Sequence, residues 1–219
     1  MVPTIDIAGL TIAEPMTTLT DYLITVFAAI FALNLVRGTG RPRRPVHWLW
    51  CLAFCFIGLA ALLGGTSHGF VGYLDDLSLR MIWKGTVYSV GLSMLFAVAG
   101  SIEASRLKEQ PAKLLHVLNG LAFSAYAIWM TTNSAFIYVI AYYVPAMTSV
   151  ALIQLWAYYR SKLPTAPWFV SGVLVTLLGA IIQQSGFSIH RHFNHNDIYH
   201  VVQIAGLYLL YRGARLIDA

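Results

Sequence analysis

Seven apolar runs, each close to the length of a bilayer crossing, fill most of this chain. A helical crossing of the hydrocarbon core takes about 20 predominantly apolar residues. The runs fall at about 18–36, 46–63, 81–102, 114–131, 135–159, 168–185 and 196–211. They leave only short connections within the 219 residues, so no separate extramembrane domain fits among them. Backbone polar groups inside a bilayer must be satisfied within the protein. The expected fold is therefore all-α, a bundle of seven transmembrane helices forming a single integral membrane domain over residues 1–219. Charge content agrees: only 11% of residues are charged, against about 25% in soluble domains. A soluble single domain and a disordered chain are both excluded, the latter because so much apolar surface demands burial.

The basic residues set an orientation. Arg37, Arg41, Arg43, Arg44, Arg106, Lys108, Lys113, Arg160, Lys162, Arg212 and Arg215 fall on one side of the membrane, eleven of the fourteen. Arg80, Lys84 and Arg191 fall on the other. The positive-inside rule then places the N-terminus outside and the C-terminus in the cytoplasm, which an odd number of spans requires. Trp48, Trp50, Trp156 and Trp168 sit near the inner interface and Trp83 and Trp129 near the outer one, as an aromatic belt would. Residues 1–17 lack Lys and Arg, so they do not read as a secretory signal, and the first span is expected to be retained. The expected location is a bacterial inner membrane. The net charge of +5 is thereby explained by topology, without a nucleic-acid partner. Cys51 and Cys55 share one helix face and read as packing residues. Pro145 is expected to kink span five.

The acids and histidines distribute the other way. Glu14, Asp21, His68, Asp75, Asp76, His190, His192, His195, Asp197 and His200 all fall at the outer ends of spans or in the outer connections. His47 and His116, at the inner interface, read as interfacial residues. Ionisable groups at membrane depth are expensive and mark function by default. At the start of span seven, Asn196, Asp197, His200 and Gln203 recur at three- and four-residue steps, which puts them on one helical stripe. That stripe is expected to face the bundle interior. Glu14 and the following threonines can cap span one, whereas Asp21 lies deeper, within the first turns of the span.

Histidines from two helices with an acid nearby make a zinc site a natural reading. Catalytic zinc takes three protein ligands and an open position for water, whose pKa it lowers to about 7. His68 and His200 are the first two candidate ligands. The third is open between His195, Asp197 and His192. Asp197 has helical spacing to His200, whereas His195 can share an ion only if it lies before the helix begins.

At these positions the chain resembles the seven-span hydrolase superfamily that contains alkaline ceramidases and the progestin/adiponectin receptors. The likeness rests on the span layout and three patches. These are Glu14 through Asp21, then Gly64-Gly-Thr-Ser-His68 followed by Asp75 and Asp76, and Asn196-Asp-Ile-Tyr-His200. Where that family has a serine four residues before the histidine, this chain has Gly64, with Ser67 adjacent to His68. Where it has the first histidine of the last pair, this chain has Asn196, with His195 one step earlier. The resemblance implies a zinc-bound centre that hydrolyses an amide or related bond of a membrane lipid or lipid-like substrate. It implies catalytic roles for Ser67, Asp75 and Asp76. A seven-span receptor or sensor binding a small ligand in the same outer pocket is the alternative. A haem protein would want histidine pairs two to four turns apart on one helix. The sole pair on one span is His47 and His68. A retinal protein would want a lysine in span seven, which has none, and a transporter would want internal repeats.

Overall fold

A computed structural model describes residues 3–37, 44–190 and 192–217. Arg41, Arg43 and Arg191, all used in the placement of charges above, lie outside the described residues, as does the connection at 38–43. Seven helices overlie the seven apolar runs. They are α1 (Pro15–Arg37), α2 (Pro45–Gly69), α3 (Asp76–Ala104), α4 (Glu109–Thr132), α5 (Phe136–Ser161), α6 (Ala166–Ser185) and α7 (His195–Arg215). Most extend a few residues beyond the apolar stretch, and two have side-chain caps at their start. The Asp75 carboxylate accepts from the Ser78 amide at 2.7 Å and starts α3. Pro15 starts α1 at the first helical position, where its missing N–H costs nothing. α5 runs through Pro145 as one helix.

Six of these helices are long and apolar enough to cross a membrane. α7, at 21 residues, is long enough but not sufficiently apolar. Its first turns carry Asn196, Asp197, His200 and Gln203, and it ends on Arg212 and Arg215. Large apolar side chains face outward along the bundle, among them Leu19, Val26, Ile128, Leu174 and Ile181. These features fit an integral, multi-pass membrane protein.

The helices pack in a closed ring, α1–α2–α3–α5–α6–α7 and back to α1, while α4 lies against the flank of α3. α1 and α2 approach closely through glycine. A Cβ built on Gly65 would come within 2.9 Å of the Asp21 Cβ, and one on Gly69 within 2.7 Å of the Thr18 hydroxyl. The half of the ring nearer Arg37 and Arg44 is filled by aromatic rings. Phe31 stacks on Tyr211 at 4.8 Å, Trp50 stacks on Phe169 at 4.7 Å, and Phe54 meets Phe31 edge-on at 5.8 Å.

At the other end a β-hairpin precedes α1: β1 (Thr4–Ile7) pairs antiparallel with β2 (Leu10–Ala13). Ala8 and Gly9 both have positive φ, 51° and 84°, which is the two-residue turn that matches strand twist. The Thr11 amide donates to the Tyr73 hydroxyl at 2.8 Å, and the Glu14 amide to the Pro3 carbonyl at 2.8 Å. The hairpin is therefore tied to the α2–α3 connection, beside the ends of α1, α2 and α7 that carry the polar residues.

Candidate functional site

On α1, Thr17, Thr20 and Asp21 stand at i, i+3 and i+4 and are all buried. That spacing places them on one helical face, continued by Ile24, Ala28 and Phe31 in the core. On α7 the buried residues Asp197, His200 and Gln203 follow the same rule. The two stripes face each other. The Thr17 hydroxyl donates to Asp197 Oδ1 at 2.8 Å. The Thr20 hydroxyl lies 2.9 Å from His200 Nδ1, and His200 Nε2 lies 3.3 Å from Asp21 Oδ1.

These contacts constrain the histidine tautomer. Thr20 Oγ1 is within hydrogen-bond reach of the Met16 and Thr17 carbonyls, at 2.9 and 3.1 Å, and has one proton to donate. With that proton on a carbonyl, His200 must donate from Nδ1 to Thr20. Nε2 is then the basic nitrogen, facing Asp21. A hydrogen bond between Nε2 and Oδ1 needs one proton shared by the pair, whichever atom carries it.

Asp197 is completely buried and fully engaged. Its Oδ2 accepts from the Asn194 amide at 2.7 Å, and the Asn194 side chain accepts from helix amides in return, closing a capping box around the start of α7. With Thr17 on Oδ1, Asp197 fixes α7 against α1.

Asp21, His68, Asn196, His200 and Gln203 line one cavity of about 240 Å³ inside this end of the ring. Ile24, Ile57, Val90, Trp83, Phe136 and Tyr199 supply its apolar and aromatic walls. Among the described lining residues there is no Lys or Arg. Gln183 of α6 donates to the Asn196 side chain at 3.3 Å across the rim. His68 also lines a second, outer hollow, together with Glu14, Ser67, Tyr73 and residues of β1 and β2. His68 Nδ1 sits 3.4 Å from Glu14 Oε1, so this pair stands where the two spaces meet. The hydrogen bond from His68 holds the Glu14 carboxyl below its ordinary value of 4.5, against the opposing effect of partial burial.

The residues singled out from sequence therefore separate into groups. Asp21, His68, Asn196 and His200 share the cavity, Glu14 and Ser67 adjoin it through His68, and Asp197 braces the wall. Asp75 and Asp76 lie exposed at the start of α3, where Asp75 acts as the cap, and line neither space. His192 belongs to the α6–α7 connection, where its ring stacks on His190 at 5.5 Å. His195 opens α7, with its Nδ1 buried and unpartnered. Thr17 and Thr20, read from sequence only as possible caps, prove to be the direct partners of Asp197 and His200. Their i, i+3, i+4 series with Asp21 was the available clue.

Zinc asks for three donors around one point. Here His68 turns to Glu14, His200 to Asp21, and Asp197 to Thr17 and Asn194. Among the described residues no three His, Cys, Asp or Glu side chains gather as a metal-binding group. The donor set of the described residues does not fit the ion that the resemblance implied. What the site offers is a cavity with apolar walls, hydrogen-bonding amides and a buried histidine–carboxylate pair.

No curated protein and no solved structure matches the chain. Over residues 16–219 the sequence matches DUF6962, a family of unknown function, and the chain belongs to that family.

Proposed function

We propose that the chain crosses the membrane seven times, with the N-terminus outside and the C-terminus in the cytoplasm, and binds a small amphipathic molecule in the cavity at its outer end. A bacterial inner membrane is the setting that the basic residues of the opposite end fit. The observation that carries the reading is the cavity itself, where Asp21, His200, Asn196 and Gln203 meet apolar and aromatic walls inside one enclosure. Binding sites of this kind combine mostly apolar walls with a few placed polar groups. With carboxylate and amide acceptors and no Lys or Arg among its described lining residues, the cavity favours a neutral head group bearing hydrogen-bond donors over an anionic one. Membrane lipids or lipid-like molecules supply that class.

Gly64 provides the test. A Cβ there would lie 3.6 Å from Asp21 Oδ2 and 3.7 Å from the Thr86 methyl, so a larger side chain grows into the cavity. Mass spectrometry of solvent extracts from purified protein should find a retained neutral amphiphile in the wild type and much less in Gly64→Leu. Equal amounts in both would overturn the reading.

The Asp21–His200 pair favours a second reading, hydrolysis of an amide or ester of such a molecule. A histidine whose basic nitrogen faces a carboxylate can move a proton between water and a leaving group. Turnover of a short acyl ester such as p-nitrophenyl butyrate, lost in both Asp21→Asn and His200→Ala, is the expected result. Turnover unchanged in either variant would exclude this role for the pair.

A further inference from the structure

The β-hairpin turns its apolar side away from the protein. The strands pair Thr4 with Ala13, Ile5 with Ile12, Asp6 with Thr11 and Ile7 with Leu10. Side chains paired across the strands share a face, and successive ones alternate. Thr4, Asp6, Thr11 and Ala13 therefore form one face, and Ile5, Ile7, Leu10 and Ile12 the other. Thr4, Thr11 and Ala13 line the outer hollow, so the first face turns inward. Ile5, Ile7 and Leu10 are exposed, Ile12 is half-buried, and none of the four joins the core of the bundle. A sheet with one face in water shows the reverse pattern, apolar inward and polar outward. Two short strands alone are also marginally stable in water. The backbone folds the hairpin back against the helix ends. Glu14 joins β2 to α1 at a φ of 43°, a left-handed conformation uncommon for a residue with a side chain. Its amide is held by the Pro3 carbonyl, and Thr11 is held by Tyr73. Exposed apolar side chains border both attachments: Val71, Leu77 and Met81 around Tyr73, and Leu19 and Leu23 on α1.

We propose that the hairpin is an interfacial anchor, with Ile5, Ile7, Leu10 and Ile12 seated in the lipid leaflet at this end of the bundle. The chemistry of the face selects lipid. It is wholly aliphatic and carries no charge. The hairpin's one acid, Asp6, lies on the opposite face, where the Thr11 hydroxyl donates to it. The neighbouring exposed side chains are apolar as well, and the ring of Tyr73 suits a membrane–water boundary. The backbone sets the depth. The outer edges of a two-stranded sheet keep unpaired N–H and C=O groups, which hydrocarbon does not satisfy. The strands therefore lie among the head groups, and only the side chains reach the acyl chains, as with interfacial amphipathic helices. The hollow on the other face of the hairpin, with Glu14 and His68 in its lining, is thereby held at head-group depth.

This role rests on the chain being a membrane protein, and Ile128, exposed on α4, controls for that. Single cysteines Ile7→Cys, Ile128→Cys and Ser188→Cys, in a Cys51→Ala, Cys55→Ala background, carry an NBD fluorophore on the full chain in phosphatidylcholine nanodiscs. At Ile7→Cys and Ile128→Cys the emission should be blue-shifted. It should be largely lost when the discs contain spin-labelled phosphatidylcholine, and iodide should leave it nearly unchanged. At Ser188→Cys, in the exposed α6–α7 connection, iodide should quench and the spin-labelled lipid should not. Leu10→Cys, the cross-strand partner, takes the place of Ile7→Cys if that variant shifts the unfolding midpoint. Lipid quenching at Ile128→Cys, with Ile7→Cys quenched by iodide as strongly as Ser188→Cys, overturns the anchor and leaves the membrane reading intact. Lipid quenching at neither position sinks both. An Ile7→Cys probe shielded from lipid and iodide alike also overturns the anchor, because protein then covers the face. Oxidative cross-linking of Ile7→Cys into dimers would identify that cover as a second copy.

Discussion

Asp197 shows how a buried acid on a polar helix stripe can serve the fold itself. One oxygen accepts from the Thr17 hydroxyl and joins α7 to α1, and the other accepts from the Asn194 amide and caps α7. Asp197→Ala is expected to destabilise the protein by roughly 1–3 kcal/mol through the Thr17 hydroxyl left unpaired, and further through loss of the N3 half of the capping box. Thr17→Val should cost less, because the capping box remains. Thermal unfolding of the purified variants measures both, and an unchanged Asp197→Ala midpoint would contradict this role. Glu14 leads to a pH dependence. Its folded-state pKa lies below the ordinary 4.5 because His68 hydrogen-bonds to the charged form. The pair's contribution to stability is thus complete above about pH 4.5, the unfolded value. It is lost as pH falls through the lower folded-state pKa. Glu14→Gln should lose stability at neutral pH and flatten that acid limb of the unfolding midpoint.

The helices α1 to α6 were legible from sequence because each carries a long apolar run, and a bilayer allows such a run only one conformation. α7 was legible for a different reason. Its polar residues recur at helical steps, although their polarity is what leaves the helix short of membrane hydropathy. The hairpin was not legible. Its turn is Ala8-Gly9, without the Asn-Gly or Asp-Gly pair that marks such turns, and its strands are four residues each. The site was half legible. Spacing put Asp197 and His200 on one face, but only packing could show that Asp197 is braced by Thr17 and that Asp75 and Asp76 point away from the cavity. The same packing makes Gly65 critical at the scale of the element. A side chain there meets the Asp21 Cβ and the Tyr22 ring at 2.9–3.0 Å, so it must push α1 from α2 and carry Asp21 away from His200. Gly65→Val is expected to lower both thermal stability and retention of the bound amphiphile. Gly72→Ala, which meets nothing within 4 Å, should alter neither.

At the scale of the whole molecule, the ring divides into two unlike halves. The hairpin end is hollow, with two spaces that share His68 in their lining and the Glu14–His68 pair beside them. The other half is closed by the stacked rings of Phe31, Tyr211, Trp50 and Phe169 and ends in basic residues, including Arg160, Lys162, Arg212 and Arg215. Those cations also meet aromatic faces, with Arg212 4.6 Å from the Trp168 ring centre and Lys162 5.0 Å from that of Tyr158. Cations and amphipathic rings grouped in this way fit a membrane–water interface, which in the proposed orientation is the cytoplasmic one. Labelling can check this arrangement, because both native cysteines lie within α2 and can be replaced. In a Cys51→Ala, Cys55→Ala background, Ser188→Cys reports the exposed α6–α7 connection at the hairpin end, and Gln110→Cys reports the opposite end at the start of α4. A membrane-impermeant maleimide applied to intact cells should label Ser188→Cys and leave Gln110→Cys untouched until the membrane is opened. The reverse pattern would place the cavity on the cytoplasmic side, and equal labelling of both positions would break the seven-span arrangement itself.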